Sequence, residues 1–493
     1  MAALKSLEDE TVLVVLGASG DLAKKKTFPS LVRLFLHGDL PRNMSIIGYA
    51  RTDMSREEFH RRIAEHMDAS EHDKRRFLDI CHYIRGQYDS DDSFQELNKA
   101  IVKFEKERGG KMQNRIFYMA LPPTVFTLVS EHLKRNCYSE NGVNRVVVEK
   151  PFGMDLESCE KMIAEMKKVW TEQETFRIDH YLGKDMVKNI LFFRLANPLI
   201  ESSLNNKLVD NVQITFKEPF GTEGRGGYFD EFGIIRDIEQ NHLCQMFSLI
   251  AMDAPESYTA EAIRDQKVNV LRQTKPVSVD EVLLGQYSAA HGKPGYKDDD
   301  TVPKDSCTPT FAALVLHVEN ERWKDVPFIM SAGKALNEGE VEIRVQYKDT
   351  PEGRLPHPSA RDELVLRVQP DQALYLRLST KQPGISTHTD SVAMELNYKK
   401  QFPDAYVPDA YEALILDCIR GEHSNFVRDD ELLASWAIVT PLLHAIDAGK
   451  VPYTTYPYGS RGPEQLKAFV EHYGYKEGNE PSEQNVSDMS AKV

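Results

Sequence analysis

The run Thr11-Val12-Leu13-Val14-Val15-Leu16, followed at once by Gly17-Ala18-Ser19-Gly20, constrains the fold more than any other stretch. Apolar and β-branched residues without polar alternation read as a strand buried on both faces, the habit of a parallel sheet. Apolar residues at Leu22, Phe28, Leu31, Leu34 and Phe35 then mark a helix, so the glycines form the turn between the two. Pro29 lies inside the helical pattern and predicts a kink or a restart near Thr27. Strand patterns recur at 44–49, 115–120 and 145–148, separated by helical patterns such as 124–136. Such alternation predicts right-handed crossovers and a Rossmann-like, doubly wound parallel sheet over 11–176, after a short N-terminal tail at 1–10.

After about Arg177 the pattern changes. Helices are expected at 185–195 and 230–251, then strands at 311–318, 341–347, 363–368 and 374–379, which together give a larger α+β domain over 177–477. Its sheet is expected to be mainly antiparallel, with helices on one face. The loop at 291–309, with Asp298-Asp299-Asp300, reads as solvated, and the polar stretch 478–493 as a disordered tail. A chain of 493 residues has ample material for two or three cores.

A net charge of −15 speaks against a nucleic-acid partner, which would draw on many Lys and Arg contacts to phosphate. It leaves room for a small phosphorylated ligand held by local cations. No apolar run approaches the length of a membrane helix. Six cysteines without metal-ligand spacing read as reduced, packed thiols. With no targeting signature at the start, the expected compartment is the cytoplasm.

Gly17-Ala18-Ser19-Gly20 sits where glycines let a backbone approach a pyrophosphate at a helix N-terminus. Its spacing is GxxG, and a plain strand-to-helix connection would use the same turn. The second strand ends at Tyr49-Ala50-Arg51-Thr52, where an NAD-preferring fold places a carboxylate. A guanidinium and a hydroxyl there suit a 2′-phosphate and point to NADP, although an exposed loop arginine would look the same. Ala120-Leu121-Pro122 and Glu149-Lys150-Pro151 follow strands at their carboxyl ends, the edge where such sheets bind ligands.

Arg177-Ile178-Asp179-His180-Tyr181-Leu182-Gly183-Lys184 gathers a carboxylate, an imidazole, a phenol and two cations around a glycine. Together with Gly17-Ala18-Ser19-Gly20-Asp21-Leu22-Ala23-Lys24, Glu149-Lys150-Pro151-Phe152-Gly153 and Gly227-Tyr228-Phe229-Asp230, in this order, the chain resembles the glucose-6-phosphate dehydrogenases. The resemblance implies NADP-dependent oxidation of glucose 6-phosphate to 6-phosphogluconolactone, the first step of the oxidative pentose phosphate pathway, without a metal. By resemblance His242 is the general base and Asp179 its carboxylate partner, a pairing suited to a proton-accepting imidazole. Read locally, His242 on an apolar helix would also pass for a core histidine, and His180 would be the more obvious base.

The resemblance further implies cofactor contacts from the whole Gly17–Lys24 segment, Arg51, Ala120, Leu121, Pro122 and Lys150. Substrate contacts would come from Lys150, His180, Tyr181, Lys184, Glu218, Asp237, Lys334 and Gln369. From the residues alone, Glu218 could face solvent and Asp237 could pair with Arg236 or Lys217. Phe126 is expected to stack where relatives carry Tyr, and Gly339 stands where the family has an Arg. A homodimer or tetramer built through the late β-rich stretches is expected. Animal members hold a second, structural NADP beside that sheet. Here Arg344, Arg367, Tyr375, Arg377 and Arg461 match its contacts, while Ser331, Glu340 and Glu477 do not, so weak binding or none is expected. Two other readings are another sugar oxidoreductase with the same domain pair, and a catalytically silent NADP-binding regulator.

Overall fold

The computed structural model describes residues 7–8, 10–107, 109, 113–355, 359–385 and 387–477. Most of the expected tail at 1–10 and all of the tail at 478–493 lie outside the described residues. The chain forms two compact units. The first comprises Met1–Lys188, Pro255–Gln266 and Val407–Leu433; the second comprises Asn189–Ala254, Lys267–Tyr406 and Ala434–Val493.

Six parallel strands make the sheet of the first unit: β1 (Thr11–Leu16), β2 (Ser45–Ala50), β3 (Cys81–Arg85), β4 (Asn114–Met119), β5 (Asn144–Val148) and β6 (Thr175–Arg177). Their spatial order is β3-β2-β1-β4-β5-β6, which is the doubly wound arrangement. All six residues of β1 are buried, as the uninterrupted apolar run requires of a central strand covered on both faces. The expected restart at Pro29 is present: a π-helical turn, Ala23–Thr27, leads into an α-helix at Phe28–His37 with the proline in its first turn.

The helix Ala410–Arg420, distant in sequence, completes this core. Leu414, Ile415, Cys418 and Ile419 join Phe28, Leu31 and Phe176 in one apolar cluster. Arg33 pairs with Glu412 at 2.9 Å, and Arg145 donates to the carbonyls of Cys418 and Ile419 at 2.5 and 2.9 Å. A buried guanidinium that satisfies the last carbonyls of a helix caps it from within the core.

The second unit is built on nine strands: β7 (Val209–Lys217), β8 (Val282–Ser288), β9 (Phe311–His317), β10 (Pro327–Gly333), β11 (Glu340–Tyr347), β12 (Glu363–Gln369), β13 (Ala373–Lys381), β14 (Thr389–Asn397) and β15 (Tyr453–Pro457). The order is β14-β13-β12-β11-β7-β10-β9-β8-β15. Pairing is antiparallel except between β7 and β10 and between β8 and β15, so the sheet is mixed rather than wholly antiparallel. Phe247 of a covering helix meets Phe328 of β10 edge to face, ring centroids 5.0 Å apart.

The helix expected over 230–251 is continuous from 233 to 251, but it passes through a π-helical stretch, Ile235–Leu243, before the α-helix Cys244–Ala251. A separate short helix, Gly226–Asp230, precedes it, and Gly233, with φ +69°, lies at the junction that follows. One expectation needs correction. The loop at 291–309 is anchored, not merely solvated. Tyr296 is fully buried and donates to Asp230 at 2.7 Å, while Asp299 accepts the Gly226 and Thr301 N–H groups.

Candidate active site

In the first unit the glycine turn joins β1 to the Ala23–Thr27 turn. Gly17 has φ +81°, and a Cβ there would lie 2.1 Å from the Ala120 carbonyl oxygen. Only glycine lets the two strand ends approach so closely, leaving a cradle of backbone rather than side chain. Gly17 and Ala18 both donate to Tyr49 O, and Gly20 donates to Gly17 O at 2.9 Å. The Thr52 hydroxyl donates to Ser19 Oγ at 3.0 Å, tying the end of β2 to the turn. Arg51 is exposed and lies over the Tyr88 ring, 5.4 Å from its centroid. Asp21 is flanked by Lys25 at 3.1 Å and Lys24 at 3.3 Å, whose hydrogen bonds, and then their charges, hold its carboxyl below the usual range. Backbone cradle, nearby lysines and a free-standing guanidinium suit a phosphorylated dinucleotide.

Ala120, Leu121 and Pro122 follow β4, with Leu121 buried and Pro122 exposed. Phe126, expected to stack on a ligand, is fully buried and belongs to the core instead. Beyond β5, Glu149 is buried and Lys150 precedes Pro151 through a cis peptide bond.

Asp179 to Lys184 follow β6 as a tight helical turn. Asp179 is 2% exposed, and its Oδ1 accepts the Tyr181 N–H at 2.9 Å. The His180 ring stacks on Tyr411, 5.9 Å between centroids, and meets Tyr181 edge-on at 5.1 Å. Lys184 Nζ lies 4.8 Å from the Tyr181 ring centroid. Burial depresses the Lys184 ammonium, with Asp409 opposing and Lys26 adding to the shift. A Cβ on Gly183 would lie 2.3 Å from the Ala410 carbonyl oxygen, so the turn seats directly on the helix Ala410–Arg420. Imidazole, phenol and ammonium are thus gathered on one turn, a donor set that fits a phosphate dianion.

In the second unit the sequence-distant Glu218, Asp237 and Lys334 come together. Lys334 Nζ lies 2.6 Å from Glu218 Oε2 and 3.2 Å from Asp237 Oδ2. Burial lowers the Lys334 ammonium, and Asp237 and Glu218 outweigh it, leaving it above its usual range. Lys217 pairs with Glu340 and Glu338, and Arg236 reaches Asp447. His242 lies on the same π-helical stretch as Asp237, is 1% exposed, and stacks near Phe216 at 6.4 Å between centroids. A π-helical turn widens the helix and is frequent where side chains serve a function. Gln369 ends β12 opposite Val341, which pairs with Phe216 of β7, so it stands at the sheet end that carries Glu218.

Sequence reasoning missed the Tyr118–Glu149 hydrogen bond and the Thr52–Ser19 link. A carboxylate directly after the apolar run Val146-Val147-Val148 was the available signal for the first. Nothing in the sequence announced the second.

A doubly wound sheet with a glycine turn at its first crossover, joined to a unit that gathers carboxylates, a lysine and a histidine, defines a nucleotide-dependent oxidoreductase. The family description "Glucose-6-phosphate dehydrogenase, NAD binding domain" matches residues 14–189, and "Glucose-6-phosphate dehydrogenase, C-terminal domain" matches 191–477. Glucose-6-phosphate 1-dehydrogenase of Emericella nidulans is 55% identical over 478 residues, covering 95% of this chain and 93% of the relative. That of Saccharomyces cerevisiae is 49% identical over 477 residues, covering 95% and 94%. A solved glucose-6-phosphate dehydrogenase in complex with its substrate glucose-6-phosphate superposes with a TM-score of 0.94 at 44% identity, covering 97% of this chain and all of that one. The chain belongs to the glucose-6-phosphate dehydrogenase family.

Proposed function

We propose that this chain oxidises glucose 6-phosphate to 6-phosphogluconolactone with NADP as hydride acceptor, opening the oxidative pentose phosphate pathway. The observation that carries the reading is agreement with family members over 95% of the chain. The cofactor sits on the sheet of 11–176, with Gly17–Lys24 and Ala120–Pro122 at its phosphates and dinucleotide backbone and Arg51 at the 2′-phosphate. When bound, its nicotinamide supplies the hydride acceptor. Residues 177–477 supply the sugar site.

Charge separates the two ends of the substrate. The acids Glu218 and Asp237 would repel a phosphate and instead accept hydrogen bonds from hydroxyls. His180, Tyr181 and Lys184 donate to the phosphate. Lys334 and Gln369 hold the sugar, and Lys150 stands between sugar and nicotinamide. His242 takes the proton of the anomeric hydroxyl as hydride leaves the same carbon, and a lactone carbonyl results. Asp179 orients the imidazole and stabilises its charged form.

The chain acts as a homodimer or tetramer in the cytoplasm. Val392, Met394 and Leu396 alternate along β14, so they share one face, and Leu378 of β13 pairs with Val392. All four are exposed, at 45%, 64%, 41% and 36%, as an apolar edge awaiting a two-fold partner would be. Five of the six cysteines are buried, and no bond joins any of them, which suits a reducing compartment. Among the described residues no helix is long and apolar enough to cross a membrane.

The test is the absorbance of reduced nicotinamide on mixing protein, NADP and glucose 6-phosphate. Turnover of unphosphorylated glucose in preference to the phosphate would favour another sugar oxidoreductase. NADP binding without turnover would favour a silent regulator.

A further inference from the structure

Glu149 lies one residue beyond β5 and is 5% exposed. Its Oε1 accepts the phenolic O–H of Tyr118, the fully buried fifth residue of β4, at 2.5 Å. The titratable groups around it come from four elements of the first unit. These are Tyr118 of β4, Lys150 on its own segment, Asp179 beyond β6 and Tyr411 of the helix Ala410–Arg420, with Asp409 acting on Tyr411. The only cation in that set is Lys150. A carboxylate buried this deeply is costly when ionised unless a cation or several donors compensate it. Burial, aided by Asp179 and opposed by the Tyr118 bond and by Lys150, pushes the Glu149 carboxyl up to about 7. The proton is therefore exchangeable in the neutral range, one residue away from the lysine of the proposed reaction site.

We propose that Glu149, held by Tyr118, is a positioning residue that acts through Lys150: its ionised form keeps the ammonium directed into the reaction site, and its protonated form releases it. The inference rests on the place proposed above for Lys150 between sugar and nicotinamide. It makes the Glu149–Tyr118 pair a second ionisation that must be in the right state for turnover, separate from the loss of a proton by His242.

The experiment is the pH profile of kcat/KM for glucose 6-phosphate across the neutral range, for the unmodified protein and for Glu149→Gln, Tyr118→Phe and Lys150→Met. The unmodified protein should lose activity on the acid side with a slope approaching two protons. Glu149→Gln should reduce that slope to one. Tyr118→Phe removes the donor that favours the ionised carboxylate, so one of the two ionisations should move to higher pH by about a unit. An acid limb in Glu149→Gln with the slope and position of the unmodified protein would overturn the inference, as would an unmoved limb in Tyr118→Phe. The phenol variant carries the test alone if the glutamine variant does not fold. Lys150→Met separates the two layers. Normal turnover there would remove Lys150 from the site, whereas loss of turnover there with unmoved limbs in the other two variants would remove only the role of Glu149.

Discussion

Lys334 stands 2.6 Å from Glu218 and 3.2 Å from Asp237, one ammonium between two carboxylates that the sequence separates widely. The group carries one net negative charge, which is why it suits the hydroxyl end of a sugar phosphate and not its phosphate. Removing the cation leaves two carboxylates near each other without the charge that holds them together. Lys334→Met should raise KM for glucose 6-phosphate about tenfold or more, the scale of one lost charge-assisted hydrogen bond. Steady-state kinetics with far-ultraviolet circular dichroism as a folding control checks this; an unchanged KM in a folded variant would place the sugar elsewhere.

His242 is buried on the π-helical turn that also carries Asp237, so the proposed base and a proposed sugar ligand share one rigid segment. Replacing the base leaves that segment its other anchors, including the Gln240 bond to Ser435 at 3.0 Å. His242→Asn should therefore lower kcat by roughly two or more orders of magnitude with little effect on substrate binding. Asp179→Asn is expected to be similarly slow. Near-normal turnover in the histidine variant would remove it as the base.

Arg51 projects from the end of β2 over Tyr88, and no carboxylate replaces it at that strand end. A guanidinium there stabilises a 2′-phosphate and does nothing for a 2′-hydroxyl. Arg51→Ala should raise KM for NADP selectively, with the NAD kinetics changing less. Equal effects on the two cofactors would show that this arginine does not read the phosphate.

The central strands β1, β2, β4 and β5 were legible because each carries a short, mainly apolar run, whereas the edge strands β3 and β6, Cys81-His82-Tyr83-Ile84-Arg85 and Thr175-Phe176-Arg177, were not, being short and mixed in polarity. The motif at 177–184 was legible because its chemistry is contiguous. What escaped was non-local. Nothing in Ala410–Arg420 says that it returns to the first core, since its apolar face would suit either unit. Lys217 could have met Asp237 on charge alone; strand register instead set it opposite Glu340. The alternating strand Val209–Lys217 carries a readable period of two, yet its polar positions masked it among loops. Tyr296 shows the same limit in a loop: its burial depends on Asp230, far back in the chain.

His423 gives the first unit a built-in sensitivity to acid. Its ring packs on Phe176 at 3.9 Å between centroids and is 2% exposed. Burial, followed by Arg264 and Arg145, holds the imidazole down to about 3, against a usual value of 6.5. The unfolded chain therefore binds the proton first. Stability from this group is fully present above pH 6.5 and falls as the pH drops from there toward 3, by at most about 1.4 kcal/mol per pH unit. His423→Phe should lose less thermal stability between neutral and mildly acid buffer than the unmodified protein. Parallel losses in the two proteins would show that the acid sensitivity lies in other groups.

The last expectation concerns a second nucleotide beside the sheet of the second unit. A cleft of about 620 Å³ does exist there, floored by Thr215, Ser331 and Arg344 and walled by Arg461, Glu471 and Tyr475. Of the cations lining it, Lys217, Arg344 and Lys467 are already engaged with carboxylates, and among the described residues Arg461 alone is left to meet a phosphate. Lys217 lies 2.6 Å from Glu340 and 3.1 Å from Glu338, and the Arg344 guanidinium lies 2.6 Å from Glu363 and 2.9 Å from Glu342. Arg377 approaches the same Glu363 at 3.6 Å, and Lys467 pairs with Glu477. Burial lowers the Arg344 guanidinium, but Glu342 and Glu363 overcome it and hold the charge more firmly than usual. A polyphosphate entering this cleft would have to break ion pairs and approach carboxylates that gain no new partner, so attraction and repulsion both count against it. Titration with NADP should give one tight site per chain, and Arg51→Ala should weaken that site and the NADP-dependent gain in thermal stability together. Two tight sites, or a gain in thermal stability at low NADP that Arg51→Ala leaves unchanged, would show that the carboxylates yield to the ligand.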